Sequence, residues 1–388
     1  FALALLGTFL TRSGIVDSVH SFAPGPVGPA LLLLLGAFLV VSVVLLASSA
    51  RTFDAAAPER RVLARGSALI ANNLVLALLT FAVLLGTLFP IVARVWEGSR
   101  VTVGESYYDG FAVPLGVALL FLMGVGPALP WGGAVRSGQA LRSLVPKLLA
   151  GTATAGIGVA LGARSFGLIA ALSAGGFALA VAISGALGPL VAALREPNRA
   201  RVIARLVHGR RLLGAHLAHA GIAIALVAIA ASNAGKQTRE ATLRPGEWVA
   251  IGDYQVTFRG VAREHEPHRE SLVARFDLLH EGRFLGHLAP RLSRYPSGEN
   301  LGSPAVLSSP REDLYLTLLG LEPGRREIGL PLHISGVVSW LWIGIATSLL
   351  GALIALPFPS RKRARARTPA KAKAKAAVPL ASHAEARA

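Results

Sequence analysis

Hydrophobic residues in this chain are gathered into long, nearly uncharged runs. Seven of them are Val27–Ala47, Leu69–Val92, Phe111–Leu129, Leu144–Gly162, Phe166–Leu194, Leu212–Ala231 and Ile334–Leu356. Each is long enough to cross a hydrocarbon core of about 30 Å as a helix. The apolar stretch Phe1–Leu10 has no basic residues ahead of it, unlike a signal peptide, and reads as the outer end of a longer spanning helix. That makes about eight crossings, in the C-terminal part of a larger protein. Phe166–Leu194 is longer than a span requires, so the sequence predicts a tilt, or a kink at Gly175–Gly176. Leu144–Gly162 is the weakest of the spans, because Gly151, Gly156 and Gly158 lower helix propensity.

The pattern changes between the last two runs. Trp248–Ile251, Tyr254–Arg263, Ser271–Leu279, Arg283–Leu288 and Asp313–Leu319 are short β-rich stretches, and turn signals such as Ile251-Gly-Asp253 and Glu281-Gly282 separate them. The expected fold is a polytopic α-helical membrane protein with one small external antiparallel β domain before its last helix. The expected domains are a transmembrane bundle over 1–234, the β domain over 235–333, a final helix over 334–356 and a disordered basic tail over 357–388.

Charge orients the spans. Of the 39 Lys and Arg, 22 fall in one alternating set of connections: Ala50–Ala68, Pro130–Ser143 with Lys147, Arg195–Arg211 and the tail. The short opposite loops hold only Arg12, Arg94, Arg100 and Arg164. Lys and Arg in short loops mark the cytoplasmic side, and long translocated segments are exempt from the count. The tail is therefore cytoplasmic, and the β domain faces the periplasm or the cell exterior. The net charge of +18 sits mainly on the cytoplasmic face, where it meets anionic lipid headgroups. Only 15% of residues are charged, against about 25% in soluble domains. The expected partner is the lipid membrane, with no nucleic acid. The absence of cysteine excludes disulfides, thiolate metal sites and cysteine nucleophiles.

Polar residues at membrane depth carry the candidate chemistry. Gly214-Ala-His-Leu-Ala-His-Ala-Gly221 places His216 and His219 three residues apart on one helix face. Gly214 and Gly221 leave room for a flat group or for another helix. The two histidines are either iron ligands or interhelical hydrogen-bonding groups. His219 lies roughly 10 Å into the membrane from the cytoplasmic end of its span. Asn72-Asn73 reads as a helix entry. His20, in the loop after Thr11, lies at the outer membrane surface. Glu264-His-Glu-Pro-His268, with His280 and His287, reads as a polar loop between strands, since Pro267 disrupts any helical ligand spacing.

Four stretches resemble the CcmF family, the haem-lyase component of bacterial cytochrome c maturation. They are Thr8-Phe-Leu-Thr-Arg-Ser-Gly-Ile-Val-Asp-Ser-Val-His20, Ala71-Asn-Asn73 with Leu84-Leu-Gly-Thr-Leu-Phe-Pro90, Val103-Gly-Glu-Ser-Tyr-Tyr108 with Gly124-Val-Gly-Pro-Ala-Leu-Pro-Trp131, and Gly214–Gly221; Asp313-Leu-Tyr-Leu adds a fifth, shorter match. The resemblance implies that His20 matches the periplasmic histidine that ligates incoming haem and is the site of catalysis. It implies that His219, with His216 as the alternative, matches a transmembrane ligand of a resident haem b that serves as reductant. The family's tryptophan-rich motif and its partner haem ligands would precede Phe1.

The implied activity is thioether formation between haem vinyls and an apocytochrome c presenting Cys-x-x-Cys-His. The implied partners are the haem chaperone CcmE and CcmH-type apocytochrome-binding proteins. His20 and His219 should differ in depth by on the order of 20 Å. Two other classes are carried alongside: a haem-binding scaffold without catalysis, and an unrelated secondary transporter. The second lacks a visible internal repeat.

Overall fold

The computed structural model describes residues 1–15, 25–50, 64–98, 101–129, 137–295, 300–321 and 327–356. Among these, seven helices are long and apolar enough to cross a membrane. They are α2 (Val27–Ser49), α3 (Arg65–Glu97), α4 (Glu105–Ala128), α5 (Ser137–Ala160), α6 (Phe166–Leu194), α7 (Arg199–Ala234) and α8 (Val338–Ala355). A shorter apolar helix, α1 (Ala2–Arg12), packs on α2. The expected tail at 357–388 and His20 lie outside the described residues. The chain is a polytopic helical membrane protein with an antiparallel β domain between its last two helices.

The helices pack in a row, α3 on α4, α4 on α6, α6 on α7 and α7 on α8, with α5 against α6. Small residues make this possible, because apolar side chains gain little by leaving lipid for protein, and close backbone approach has to supply the attraction. Gly175 and Gly176 are such contacts. A Cβ on Gly175 would overlap Val227 of α7, and one on Gly176 would overlap Thr154 of α5. α6 runs as one continuous helix through this glycine pair, with one neighbour on each side of it. Gly151 and Gly158 likewise admit α6 to α5, at Ser173 and Leu172 respectively. Thr154 seals the same contact by donating to the Leu172 carbonyl at 2.9 Å.

Arginines close helix C-termini at one end of the row. Arg65 donates through Nε to the Gly126 carbonyl at 3.0 Å and through Nη2 to that of Pro127 at 2.9 Å. Arg205 donates to Ala192 at 3.2 Å, and Arg210 donates to Ile354 at 3.2 Å and Leu356 at 2.5 Å. Each guanidinium donates to carbonyls at a helix C-terminus and faces the negative end of a helix dipole. All three lie at the end of the row opposite the β domain.

The β domain comprises eleven strands among the described residues, arranged as two antiparallel sheets. The first orders β1 (Gln237–Leu243), β11 (Ile328–Gly336), β9 (Glu312–Leu316) and β8 (Ala305–Ser308), with β10 (Gly320–Leu321) on β11. The second orders β2 (Trp248–Ile251), β3 (Tyr254–Glu266), β4 (Arg269–His280), β6 (Arg291–Arg294) and β7 (Asn300–Ser303), with β5 (Arg283–Leu288) on β4. Alternating positions from both sheets meet in one core, including Val256, Phe258, Phe276, Leu278, Leu314, Leu316, Leu330 and Leu332. Ser271 and Ser293 face each other across β4 and β6, and their buried hydroxyls are bonded at 2.9 Å.

Ile334, expected to open the last span, is instead the final core residue of β11, whose burial alternates through Leu330, Leu332 and Ile334. The last helix begins four residues later than expected, at Val338. Val337 makes the turn between them in the left-handed region, with φ 52°, a strained conformation for a β-branched residue. It is held there by its N–H donating to the Arg311 carbonyl at 2.8 Å, with Ser339 on Ser309 at 2.9 Å and Trp340 on Pro310 at 3.1 Å. At the other end of the pair, α7 runs into β1 across only Gly235 and Lys236. The β domain thus grows directly from the α7–α8 pair.

Candidate functional site

At a rise of 1.5 Å per residue, α7 is about 54 Å long, well beyond a bilayer core. Its arginine-rich first turns therefore extend past the apolar window Gly209–Ala234. Within that window three faces do different work.

The first face holds Gly214, Ala218, Gly221 and Ala225, and it belongs to α8. A Cβ on Gly214 would overlap the Gly351 carbonyl, and one on Gly221 would overlap the Gly344 carbonyl and Ser348. The relation is reciprocal, since Gly344 abuts Gly221 and Ala225 while Gly351 abuts Gly214 and Ala218. The two pairs of glycines, each seven residues apart, mesh backbone to backbone. Of the two expected uses for Gly214 and Gly221, the structure realises the second: they admit a helix.

The second face holds His216. Its imidazole lies in a notch left by the missing side chain of Gly185 on α6, where a Cβ would overlap both Cε1 and Nε2. The Nε2 edge is therefore pressed against the α6 backbone.

The third face holds half-buried His219. Its Nδ1 lies 2.7 Å from the Ala215 carbonyl. A carbonyl only accepts, so Nδ1 carries the hydrogen and Nε2 keeps its lone pair. Axial haem ligands are commonly fixed in this way, with the distal nitrogen presented and the proximal one tied to a carbonyl. His219 fits an iron-bound group, and His216 as placed does not. His219 is also fifteen residues before the end of α7, about 22 Å from the β domain side.

His20 belongs to the stretch 16–24, outside the described residues. The flanks of that stretch converge: a Cβ on Gly28 in α2 would lie 3.0 Å from Ser13 Cα at the end of α1. Asn72 and Asn73 sit near the start of α3. Glu264 to His268 lie at the tip of the β3–β4 hairpin, where both carboxylates and His265 have side-chain partners. Arg269 reaches Glu266 at 2.9 Å, Arg291 reaches Glu264 at 3.2 Å, and His265 reaches Glu270 at 3.3 Å. The Arg269 hydrogen bond holds Glu266 below the usual carboxylate range. His287 pairs with Asp277 at 2.7 Å, and His280 packs on Tyr254. No group of three or more potential ligands converges on a metal position among the described residues.

A site with no single sequence signal lies where the membrane helices meet the β domain. A cavity of about 620 Å³ is lined by the first turns of α4, the last turns of α7, the start of α8 and residues of β9 and β11. Its β wall is the His333 ring stacked on Tyr315 at 4.4 Å and 9°. Burial, and then the Lys236 ammonium, hold the His333 imidazole below its ordinary pKa of 6.5. The folded chain therefore binds fewer protons here than the unfolded chain. The stability from this site is complete above the ordinary value and is lost as pH falls through it toward the lower folded value. Acidification from about pH 7.5 to about pH 5 is expected to lower the melting temperature, and His333→Gln to shrink that fall. An undiminished fall in the variant would remove His333 as its cause.

No family model matches the chain. It is 30% identical to the cytochrome c-type biogenesis protein CycK of Bradyrhizobium diazoefficiens, over 92% of this chain and 54% of that protein. The cytochrome c-type biogenesis proteins CcmF of Pseudomonas aeruginosa and Escherichia coli are each 30% identical, over 92% of this chain and 53% of theirs. A solved structure titled Cytochrome c Heme Lyase CcmF superposes with a TM-score of 0.68 at 28% identity, covering 92% of this chain and 53% of that one. The chain spans about half the length of the curated relatives it matches. Likeness in sequence and fold over nearly the whole of this chain means that it belongs to the CcmF family of cytochrome c-type biogenesis proteins.

Proposed function

We propose that this chain is part of a haem lyase of cytochrome c maturation, and that the resident haem b of that machine is ligated by Nε2 of His219. The observation that carries the reading is the free Nε2 of His219 at membrane depth, its tautomer fixed by Ala215, in a chain of this family. A haem held there would supply the electrons that keep the substrate haem ferrous. His20, on the outer surface, is the proposed ligand for the incoming haem delivered by CcmE, and CcmH-type proteins present the apocytochrome. Each cysteine S–H of Cys-x-x-Cys-His adds across a vinyl group, sulfur to the inner carbon and hydrogen to the outer one, with no net change of oxidation state.

The proposed setting is the plasma membrane, with the β domain periplasmic and the basic tail cytoplasmic. Supporting this orientation, Arg65, Arg205 and Arg210 cluster at the end of the row away from the β domain, as the positive-inside rule requires of the cytoplasmic end. Because this chain covers about half of its relatives' length, the proposal concerns the full-length protein. The test is reconstitution of that protein with haem-loaded carrier, reductant and an apocytochrome peptide. Covalent product, read as the loss of both vinyl groups in the pyridine haemochrome spectrum, is expected. Product that forms only when another catalyst is added would reduce the protein to a haem-presenting scaffold.

A further inference from the structure

We propose that the cavity between α4, α7 and the β domain binds the headgroup of an aminophospholipid, an ammonium and a phosphate joined by a short linker. The proposal is independent of the haem reading.

The cavity carries opposite charges on separate walls. Glu105 and Asp109 project from the first turns of α4. Lys236, just after α7, faces the cavity from another wall, beside the His333–Tyr315 stack. Among the described residues none of these three charges takes part in an ion pair, either with one another or with any other group. Asp109 is held in place by Asn233 of α7, whose Nδ2 lies 3.3 Å from both of its oxygens. That contact is neutral and leaves the carboxylate's charge uncompensated. The start of a helix favours carboxylates, which accounts for acids on α4 but not for an unpaired lysine facing the same space.

A ligand with both signs satisfies both walls. Its phosphate takes Lys236 with Ser335 as a nearby donor, and its amine takes Glu105 and Asp109. Burial, and then Lys236 itself, disfavour protonation of the His333 imidazole, so among the described lining residues Lys236 supplies the positive charge of that wall.

Position selects a lipid over a soluble zwitterion. The cavity lies where α4 begins and α7 ends, at headgroup depth on the β domain side. Its floor is apolar, formed by Ala228, Ile229, Val338 and Leu341 of the spanning helices. Ile229 is 49% exposed, so this floor opens onto the exposed apolar surface of the spanning helices. The volume of about 620 Å³ is within the roughly 300–1,000 Å³ of small-molecule sites. A primary amine donates three hydrogen bonds to carboxylates, whereas a choline headgroup donates none.

The experiment purifies the full-length protein in detergent, adds lipids of defined headgroup and counts retained lipid by native mass spectrometry. Phosphatidylethanolamine is expected to be retained at least tenfold better than phosphatidylcholine or phosphatidylglycerol. Lys236→Ala and the Glu105→Gln/Asp109→Asn pair are each expected to abolish that preference, and Lys236→Arg to keep it. Folding of every variant is checked by its melting curve. Equal retention of all three headgroups by the wild type, or an unchanged preference in the folded variants, would overturn the assignment. Soluble phosphoethanolamine at millimolar concentration is expected to leave the lipid bound. Its displacement of the lipid at that concentration would overturn the lipid as the ligand.

Discussion

His219→Ala is expected to strip the full-length protein of the haem b proposed to bind there, and His216→Ala to leave that haem in place. The two residues are three apart and look equivalent in sequence, but their environments differ in what they leave free. His219 spends Nδ1 on the Ala215 carbonyl and keeps Nε2 for a metal. His216 has its Nε2 edge filled by the α6 backbone at Gly185. Losing the iron ligand should lower the haem content per polypeptide at least tenfold and abolish the reduced absorption bands. Added imidazole should partly restore both, by occupying the space the side chain vacated. Removing the His216 ring should instead leave a void beside Gly185, at a cost of roughly 1–3 kcal/mol of stability with an unchanged spectrum. The opposite pattern, haem lost with His216 and kept without His219, would transfer the ligand role to His216. Gly185→Ala is a further check, since its new Cβ must turn the His216 ring aside without touching His219.

The membrane spans were legible because their signal is local: a long uncharged run can only be a helix in lipid, where every backbone group must be bonded within its own segment. The same measure fails at Ile334. A hydropathy window sums over Leu330, Leu332 and Ile334 without registering that Pro331, His333 and Ser335 alternate with them, and that alternation is the mark of a strand half-buried in a sheet. β1 was missed for a related reason. Its residues are largely exposed, and it is a strand because β11 pairs with it from Gln237↔Ile334 to Leu243↔Ile328.

The site was partly legible. The histidines were visible, but the choice between them depends on Gly185, about thirty residues away on another helix. The cavity joins Glu105, Asn233, Lys236, Tyr315 and His333, which in sequence are ordinary helix ends and strand positions. The partner of Gly214 and Gly221 is also marked in the sequence: they are seven apart, as are Gly344 and Gly351. Two matching glycine periods on consecutive spans are what two antiparallel helices need to mesh.

That mesh supports the second large effect, a loss of stability in Gly344→Leu. A Cβ at this position would lie 2.6 Å from both the Ala225 nitrogen and the Gly221 carbonyl oxygen. Those atoms belong to a helix backbone, so no rotamer change can make room, and α8 has to move away from α7. Overpacking that side chains can partly absorb costs about 1–3 kcal/mol; a clash against fixed backbone should meet or exceed the top of that range.

The consequence extends beyond the pair of helices. Of the spanning helices, α8 packs chiefly against α7, while α7 and α8 lead directly into β1 and β11. Forcing the helices apart therefore strains the strand pair and the strained turn at Val337. Gly36→Leu is the matched control. Gly36 also lies mid-helix in an apolar span, but nothing lies within 4 Å of its added Cβ. There the substitution should be neutral, or stabilising by up to about 1 kcal/mol from helix propensity. Melting curves in one detergent should place Gly344→Leu well below the wild type and Gly36→Leu at or slightly above it. Equal melting temperatures would mean that α7 and α8 are not held by their glycines, and that the β domain does not depend on their contact.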